Sequence, residues 1–144
     1  MLYLTMFVSA FLAATFFPFA SELTLAASLA AGGSAFWLIV VATSGNTLGA
    51  VVNWGIGRFI EHFRDRSWFP VDARQLERGQ AWFRRYGVWS LLLAWVPVAG
   101  DAVTVIAGAM RVHIVPFVVL VAVGKGGRYV VLASLAENVK FAWS

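Results

Sequence analysis

The sequence predicts an all-α integral membrane protein made of two inverted units, each a re-entrant (broken) helical hairpin plus a transmembrane helix, joined by a cytoplasmic amphipathic helix. Three observations predict this class. Of the 144 residues, 60% are hydrophobic and only 12% are charged, unlike the composition of a soluble domain. One short motif occurs twice in apolar sequence, and most charges lie between its two copies. We expect one membrane domain, with units at about residues 1–57 and 87–138 and a connector at about residues 58–86.

The first unit begins with an apolar stretch that ends in the sequence PFASE at residues 18–22. Pro18 removes a backbone hydrogen-bond donor and clashes with the preceding turn, which breaks a helix. The stretch has no basic start and stays apolar past any cleavage point, so we do not expect a cleaved signal peptide. A second apolar stretch, at about residues 23–57, is long enough to span a bilayer. Its Gly45 and Gly49 have the spacing of close helix packing.

The connector carries most of the charge. Between Arg58 and Arg85 lie seven arginines and four acids, a local net charge of 7 − 4 = +3. Short basic loops stay in the cytoplasm, so the connector is predicted to be cytoplasmic. Because the basic charge is local, we expect no nucleic-acid partner.

A helix is predicted to begin at about Asp72, since residues 72–75 have the order of a capping box. Arg78, Arg84 and Arg85 alternate along it with aromatic residues, so we expect the helix to lie in the headgroup region with these arginines in contact with headgroups. We favour an ordinary membrane-surface anchor, and specific contacts with lipid phosphates are the alternative.

The second unit repeats the first. The sequence PVAGD at residues 97–101 matches PFASE, and Pro97 lies 97 − 18 = 79 residues after Pro18. Pro97 therefore predicts a second helix break. Residues 36–45 and 117–126 also resemble each other, at an offset of 81, so we expect a two-residue insertion between the motif and the long helix.

Two topologies fit this repeat. If the broken segments are re-entrant hairpins, each unit crosses the bilayer once, the units have opposite orientations and both termini face outward. If each broken segment spans fully, the chain has four transmembrane helices and both termini face the cytoplasm. The first topology places Arg111 and His113 on the cytoplasmic side with the connector, as the bias of loop charge prefers. We therefore favour the hairpins.

Glu22 and Asp101 end the two motifs and are the first candidate functional residues. A carboxylate at membrane depth is costly unless it is paired, protonated or hydrated, which marks it as functional. Non-helical backbone at that depth has to face protein or a water-filled cavity, so we expect both acids to line a cavity and to bind a coupling proton or ion. The alternative is that each carboxylate caps the N-terminus of the helix after the break.

Lys125 and Arg128 interrupt the last apolar stretch with a spacing of i and i+3, so they share one helix face. Cations at this depth need partners, and with Glu22 and Asp101 they would form a neutral polar cluster that Asn46 also reaches. We expect the cations to bind an anionic substrate or to hold the acids. A static ion-pair network that only holds the fold together is the alternative.

The remaining residue types point away from an enzyme. The chain has no cysteine and two histidines, which excludes thiol catalysis and leaves no metal site to be expected. Acid–base catalysis by Glu22 and Asp101 is disfavoured, because neighbouring cations would hold both acids ionised. We expect no catalytic residue and no cofactor.

Four segments carry a family resemblance: FFPFASE at residues 16–22, GNTLGAVVNWGIGRF at 45–59, FRRYGVWSLLLAWVPVAGDAVTVIAGAMR at 83–111 and GKGGRY at 124–129. They resemble the DedA superfamily, also called the SNARE-associated or VTT-domain family, and most closely its short YqaA-like branch. The resemblance implies a bacterial inner-membrane protein that has two opposed re-entrant hairpins and moves lipids or lipid phosphates across the membrane. In some family members this movement is coupled to the proton gradient. Glu22 matches the acid that family members need. Typical members carry an arginine three residues before and three residues after the second proline, where this chain has Ala94 and Gly100.

We therefore predict a membrane transporter or scramblase of lipids or lipid phosphates, with proton coupling through Glu22 and Asp101 and an anionic headgroup bound by Lys125 and Arg128. The expected partners are membrane lipids, an anionic lipid phosphate and further copies of the chain in a homo-oligomer. A non-transporting membrane protein that organises or assists a partner complex is the alternative.

Overall fold

The secondary structure of this chain is helical. The computed structural model describes residues 1–15, 19–63 and 73–142, and no strand occurs among them. The prediction of an all-helical protein is confirmed. The helices in chain order are α1 (Leu2–Ala13), α2 (Ala20–Ala30), α3 (Ala35–Phe63), α4 (Ala73–Tyr86), a 3₁₀ helix (Gly87–Trp95), α5 (Ala99–Ala109) and α6 (Ile114–Ala142).

Two of these helices are long enough to cross a bilayer. α3 and α6 have 29 residues each, and their apolar spans Ala35–Ile60 and Ile114–Asn138 have mean hydropathies of 1.6 and 1.7. At 1.5 Å per residue, each helix is about 43 Å long, against a hydrocarbon core of about 30 Å. By the same measure α1, α2 and α5 are only about 17 Å long. The prediction of one long apolar helix in each unit is confirmed.

The second proline lies at a break between helices. Pro97 stands between the 3₁₀ helix and α5, and the Ala99 amide donates a hydrogen bond to the Pro97 carbonyl at 2.7 Å. Between these two residues, Val98 has φ 65° and ψ −59°. α5 packs against the 3₁₀ helix, so the chain folds back at this point. The first proline, Pro18, lies outside the described residues.

The second and third helices of the two units have the same boundaries, whereas α1 and the 3₁₀ helix differ. α2 and α5 begin 99 − 20 = 79 residues apart, and α3 and α6 begin 114 − 35 = 79 and end 142 − 63 = 79 residues apart. The expected offset of 81 for the long helices is therefore wrong, and no insertion separates the motif from the helix. The valine-rich sequences of α3 and α6 can be aligned at several offsets, whereas the ends of the two helices define a single offset. At the offset of 79, Asn46 corresponds to Lys125.

Close helix packing joins the two units. α3 packs against α1, α5 and α6, and the 3₁₀ helix packs against α6. A Cβ atom on Gly45 or Gly49 would lie 2.5 or 2.8 Å from a carbonyl oxygen of α1, so α1 approaches α3 as closely as the glycine spacing predicts. Gly57 of α3 and Gly108 of α5 likewise face the backbone of the opposite helix. The glycines of α3 thus hold one helix of each broken pair.

The connector is partly helical. α3 continues through Arg58 to Phe63, beyond the expected end of the first unit, and α4 occupies the end of the connector. Asp72, the predicted start of the capping box, lies outside the described residues. α4 packs against α5 and the 3₁₀ helix, with the Phe83 side chain buried. The amphipathic helix is therefore docked on the second unit.

Candidate functional site

Glu22 and Asp101 occupy equivalent positions in the two units. Each is the third residue of its helix, α2 or α5, and they are 101 − 22 = 79 residues apart. The helix dipole favours a carboxylate in the first turn. Neither helix start has a side-chain capping hydrogen bond among the described residues. The capping alternative is therefore limited to the dipole, and both carboxylates pair with cations of α6.

Asp101 begins a chain of polar contacts that crosses the middle of the protein. Lys125 Nζ lies 3.0 Å from Asp101 Oδ1 and also donates a hydrogen bond to Asn46 Oδ1. Asn46 Nδ2 in turn donates to the Tyr129 hydroxyl at 2.7 Å. The Lys125 side chain is only 3% exposed, whereas that of Asp101 is 25% exposed. The buried Lys125 amine thus contacts one residue from each unit, Asn46 and Asp101. Of the Asp101–Lys125 pair, only the Asp101 carboxylate is partly exposed.

Glu22 is held by the second cation. Arg128 Nη2 donates a hydrogen bond to Glu22 Oε1, and the Arg128 side chain is more buried than that of Glu22. This contact joins α2 to α6, which otherwise pack only lightly. The four charges predicted from the sequence are therefore held as two ion pairs. We refer to Glu22, Asn46, Asp101, Lys125, Arg128 and Tyr129 as the polar centre.

The polar centre lies where equivalent residues of the two units meet. Lys125 contacts Asn46, its own counterpart at the 79-residue offset. An amide in the first unit therefore stands where the second unit has an ammonium group, and the amide oxygen serves as an acceptor for that ammonium group. The repeat is symmetric in position here but asymmetric in charge.

A small cavity lies beside Asp101, where the ends of the two broken pairs meet. It has a volume of about 270 Å³ and is lined by residues 13–15 at the end of α1, by Val98 and Asp101, and by Asn53 of α3. Asn53 Nδ2 donates a hydrogen bond to the Ala14 carbonyl at 2.8 Å. The cavity is large enough for several water molecules and gives the Asp101 carboxylate access to them.

Asn53 and Tyr129 are two polar residues of this region that were not predicted from the sequence. Both are buried. Asn53 does carry a signal in the sequence, because its amide interrupts the apolar run of α3. Tyr129 carries no such signal, since a tyrosine in an apolar helix is an ordinary core residue.

The two positions where family members typically carry arginine are closed in this chain. Ala94 and Gly100 are both buried, and a Cβ atom on Gly100 would lie 2.6 Å from the Ala94 carbonyl oxygen. This close contact leaves no room for an arginine side chain at Gly100. The positive charges near the second break are instead those of Lys125 and Arg128 on α6.

The three predicted headgroup arginines lie away from the polar centre, on α4. Arg78, Arg84 and Arg85 are exposed, and the Arg85 guanidinium carbon lies 5.7 Å from the centre of the Tyr86 ring. Trp82 and Tyr86 pack with their ring centroids 5.1 Å apart. One surface of α4 therefore carries both cations and aromatic rings. Among residues 1–15, 19–63 and 73–142, no three His, Asp or Glu side chains are grouped to hold a metal ion.

Comparison with known proteins places the chain in a family. The family model described as the VTT domain matches residues 17–138. The inner membrane protein YqaA of Escherichia coli K12 is 38% identical over 142 residues, covering 96% of this chain and 94% of that protein. An uncharacterized protein of Haemophilus influenzae is 40% identical over 140 residues, covering 91% of this chain and 85% of that protein.

A more distant relative carries a functional name. Undecaprenyl phosphate transporter A of Staphylococcus aureus is 30% identical over 95 residues, which cover 60% of this chain and 47% of that protein. No solved structure matches. The chain belongs to the VTT-domain family, as its resemblance to the DedA superfamily and the YqaA-like branch predicted, and is a multi-pass protein of the bacterial inner membrane.

Proposed function

We propose that this protein is a transporter or scramblase of lipids or lipid phosphates and that the polar centre is its substrate site. The observation that carries the proposal is the Asp101–Lys125 pair, whose carboxylate lines the cavity between the two helix breaks. Ionisable residues at membrane depth mark transport pathways and proton relays. A lipid phosphate is the favoured substrate, because the polar centre holds two cations and one relative is named an undecaprenyl phosphate transporter.

The proposed topology has two inverted units with re-entrant hairpins. α1 and α2 form the first hairpin, and the 3₁₀ helix and α5 form the second. Arms of about 17 Å are too short to cross a core of about 30 Å alone. The common 79-residue offset of α2 and α5 and of α3 and α6 supports an inverted repeat, in which the substrate site lies near the bilayer midplane. The basic connector is then cytoplasmic.

The ion pairs suggest how a proton and an anion are coupled. Arg128 is engaged by Glu22, so a phosphate that binds Arg128 competes with this carboxylate. Protonation of Glu22 removes the negative charge and releases the guanidinium group for the phosphate. Proton and anion then favour each other's binding, as reciprocal linkage requires. Asp101 and Lys125 form a second carboxylate–cation pair, which lies within the second unit.

Reconstitution into vesicles tests the proposal. Transbilayer movement of a fluorescent lipid phosphate and proton flux are measured for the parent and for Glu22→Gln, Asp101→Asn and Lys125→Ala. We expect each variant to lose about tenfold or more in lipid movement, since a hydrogen bond to a charged group is worth about 1.5–3 kcal/mol. Glu137→Gln is the matched control, because Glu137 is an exposed acid of α6. If the three variants fold and move lipid as the parent does, the polar centre is not the substrate site.

The same vesicles separate a scramblase from a coupled transporter. A scramblase moves lipid equally well without a pH gradient, whereas a proton-coupled transporter is accelerated by one and moves protons with the lipid. We expect acceleration by the gradient in the parent and its loss in Glu22→Gln.

One observation favours a second function, that of a non-transporting protein that organises a partner complex. All four charges of the polar centre are compensated by partners, as in a network that only holds helices together, and such pairs are weak evidence of activity. This alternative predicts no lipid or proton flux in any form of the protein, together with a stable partner that co-purifies.

A further inference from the structure

A second candidate binding site lies beside the polar centre. A groove of about 530 Å³ runs between the second helix break and α6. Trp95 and Pro97 form one side, and Gly124, Gly127, Arg128 and Val131 form the α6 side. We call it the Trp95–Arg128 groove. Both flanking helices belong to the membrane domain, so the groove is open to lipid.

A charged side chain in its lining distinguishes this groove from three other depressions of about 490–610 Å³. The groove between α3 and α6 has a volume of about 610 Å³ and a lining without any charged residue, which makes it an ordinary contact for bulk lipid. Arg128 is the single charged residue that lines the Trp95–Arg128 groove, and the exposed surface of the groove is almost entirely apolar because Arg128 is mostly buried against Glu22. A ligand that matches both properties has a long apolar part and one anionic end.

Two of the residues on the α6 side of the groove are glycines. A Cβ atom on Gly124 would lie 2.8 Å from the Leu92 carbonyl oxygen, whereas a Cβ atom on Gly127 would meet no atom within 4 Å. Gly124 therefore allows the 3₁₀ helix to approach α6, and Gly127 leaves the floor of the groove empty. A side chain at position 127 would occupy the space that a hydrocarbon chain could use.

Once Glu22 is protonated and releases it, the Arg128 guanidinium group can bind an anion at the groove. The group carries five N–H donors, and the contact with Glu22 involves Nη2. Arginine binds phosphate through two parallel hydrogen bonds, which lysine cannot reproduce. An anionic headgroup can therefore bind at Arg128 while its hydrocarbon chain lies along the groove.

We propose that the Trp95–Arg128 groove binds the hydrocarbon chain of a single-phosphate lipid whose headgroup contacts Arg128. The proposal rests on the proposed function in taking that lipid as the transported substrate. It adds that the chain, as well as the phosphate, is recognised, and it assigns the place where the chain lies.

Photo-cross-linking of the full-length protein in lipid nanodiscs tests the groove without a transport measurement. The probe is phosphatidic acid with a diazirine in one acyl chain, and the matched probe is diacylglycerol with the same chain but no phosphate. We expect labelling of peptides that contain Trp95 or Val131. An excess of glycerol phosphate, which has the headgroup but no chain, should not displace the probe.

Two variants and one control separate chain from headgroup. Gly127→Leu fills the groove and should lower labelling by both probes about tenfold, as the loss of two buried methylene contacts predicts. Arg128→Gln should leave diacylglycerol labelling unchanged and remove the preference for phosphatidic acid. Gly55→Leu is the control, because a Cβ atom on Gly55 also meets no atom within 4 Å but Gly55 lies on α3, and this variant should label as the parent does.

The outcomes distinguish this proposal from the proposed function. If Gly127→Leu labels as the parent does, or if labelling maps elsewhere, the groove is not the chain site, although polar-centre variants can still abolish transport. If labelling follows the expectation while no form of the protein moves lipid, the groove binds lipid and the transport proposal is wrong. Full displacement by glycerol phosphate would show that the headgroup alone is recognised.

Discussion

Val98 is the most strained residue at the second helix break. Its φ of 65° and ψ of −59°, with the hydrogen bond from the Ala99 amide to the Pro97 carbonyl, are those of the rare and strained form of the γ-turn. Positive φ is especially unfavourable for a β-branched residue. The Val98 side chain is 62% exposed, so its packing does not compensate the strain. Such strain is concentrated at functional sites, and Val98 lines the cavity beside Asp101.

Replacing Val98 by glycine should stabilise the protein. Val98→Gly removes a backbone strain of about 1–3 kcal/mol and adds a smaller loss of chain entropy of about 0.5–1 kcal/mol. We therefore expect the free energy of unfolding to rise by about 1 kcal/mol, measured by thermal or denaturant unfolding in detergent.

Val96 provides the matched control for this substitution. It has φ −74° and ψ 125°, an extended conformation that valine adopts without strain. Val96→Gly should therefore lower the stability of the protein. Equal losses for Val96→Gly and Val98→Gly would contradict strain at Val98.

The charged residues of the polar centre could be predicted from the sequence, whereas its neutral members only partly could. Lys125 and Asp101 stand out because charge in an apolar stretch is expensive and therefore rare. Which acid pairs with which cation is set by the packing of α2 and α5 on α6, and no local pattern encodes it. Asn53 and Tyr129 are missed because amide and hydroxyl groups cost less to bury and occur in many apolar helices.

At the level of elements, the crossing of α3 and α5 depends on two glycines. A Cβ atom on Gly57 would overlap the Val105 carbonyl, and one on Gly108 would overlap the Trp54 carbonyl. The Trp54 indole also donates a hydrogen bond to the Val112 carbonyl at 3.0 Å, next to the end of α5. The backbones therefore meet directly, and this crossing fixes α5, with Asp101 in its first turn, on α3.

Gly57→Ala and Gly108→Ala should each destabilise the protein by about 2 kcal/mol or more, because an added methyl group forces the helices apart. Thermal unfolding in detergent measures the change. Gly55→Ala is the control on the same helix, where the added methyl group meets no atom and alanine favours the helix by about 1 kcal/mol. If Gly108→Ala is as stable as Gly55→Ala, the close crossing is absent.

The arginines of α4 either anchor the helix at the membrane surface or make specific contacts with lipid phosphates, and substitution by lysine distinguishes the two roles. Arg78→Gln, Arg84→Gln and Arg85→Gln together should reduce the anionic lipid bound to the purified protein, since each basic residue near the surface contributes about 1 kcal/mol. The amount of bound phosphatidylglycerol is measured by native mass spectrometry. We expect the triple lysine variant to keep that lipid, as a membrane-surface anchor requires. Loss in the lysine variant as well would indicate specific phosphate contacts, which need the guanidinium group.

Helix type and register were harder to predict than helix existence. The apolar stretch before Pro97 indicates a helix, but it forms nine residues of 3₁₀ helix, longer than such helices usually run. Nothing in the hydrophobic pattern of residues 87–95 separates the two helix types. The register of the long helices was misjudged by two residues because the valine-rich stretches of α3 and α6 match in more than one alignment.

The whole molecule combines a symmetric plan with asymmetric packing. Gly108 and Gly57 contact the opposite backbone where α5 crosses α3. At the 79-residue offset, Gly108 corresponds to Leu29 (108 − 79 = 29) and Gly57 corresponds to Ala136 (57 + 79 = 136). Leu29 and Ala136 belong to one apolar cluster, but a leucine side chain keeps helix axes further apart than glycine does. α2 therefore cannot pack on α6 as α5 packs on α3. The Glu22–Arg128 pair supplies the charged contact between α2 and α6.

The side of the membrane on which each loop lies is a property of the whole molecule, and single cysteines can measure it. The chain is free of cysteine, so Ser34→Cys, Ala81→Cys and His113→Cys each introduce one thiol at an exposed position. With inverted units, the thiol at position 113 reacts with a membrane-impermeant maleimide from the same side as that at position 81, on α4. The thiol at position 34 reacts from the opposite side. These reactions are measured in intact cells and in inverted membrane vesicles.

The alternative of four full spans makes a different prediction for the same thiols. A complete crossing by residues 87–110 would place His113 on the side opposite α4, so positions 81 and 113 would react from different sides. The connector and the turn before α6 thus discriminate the topologies without any assumption about substrate. We expect positions 81 and 113 to react together from the cytoplasmic side, because Arg111 in that turn then obeys the same charge bias as the arginines of α4.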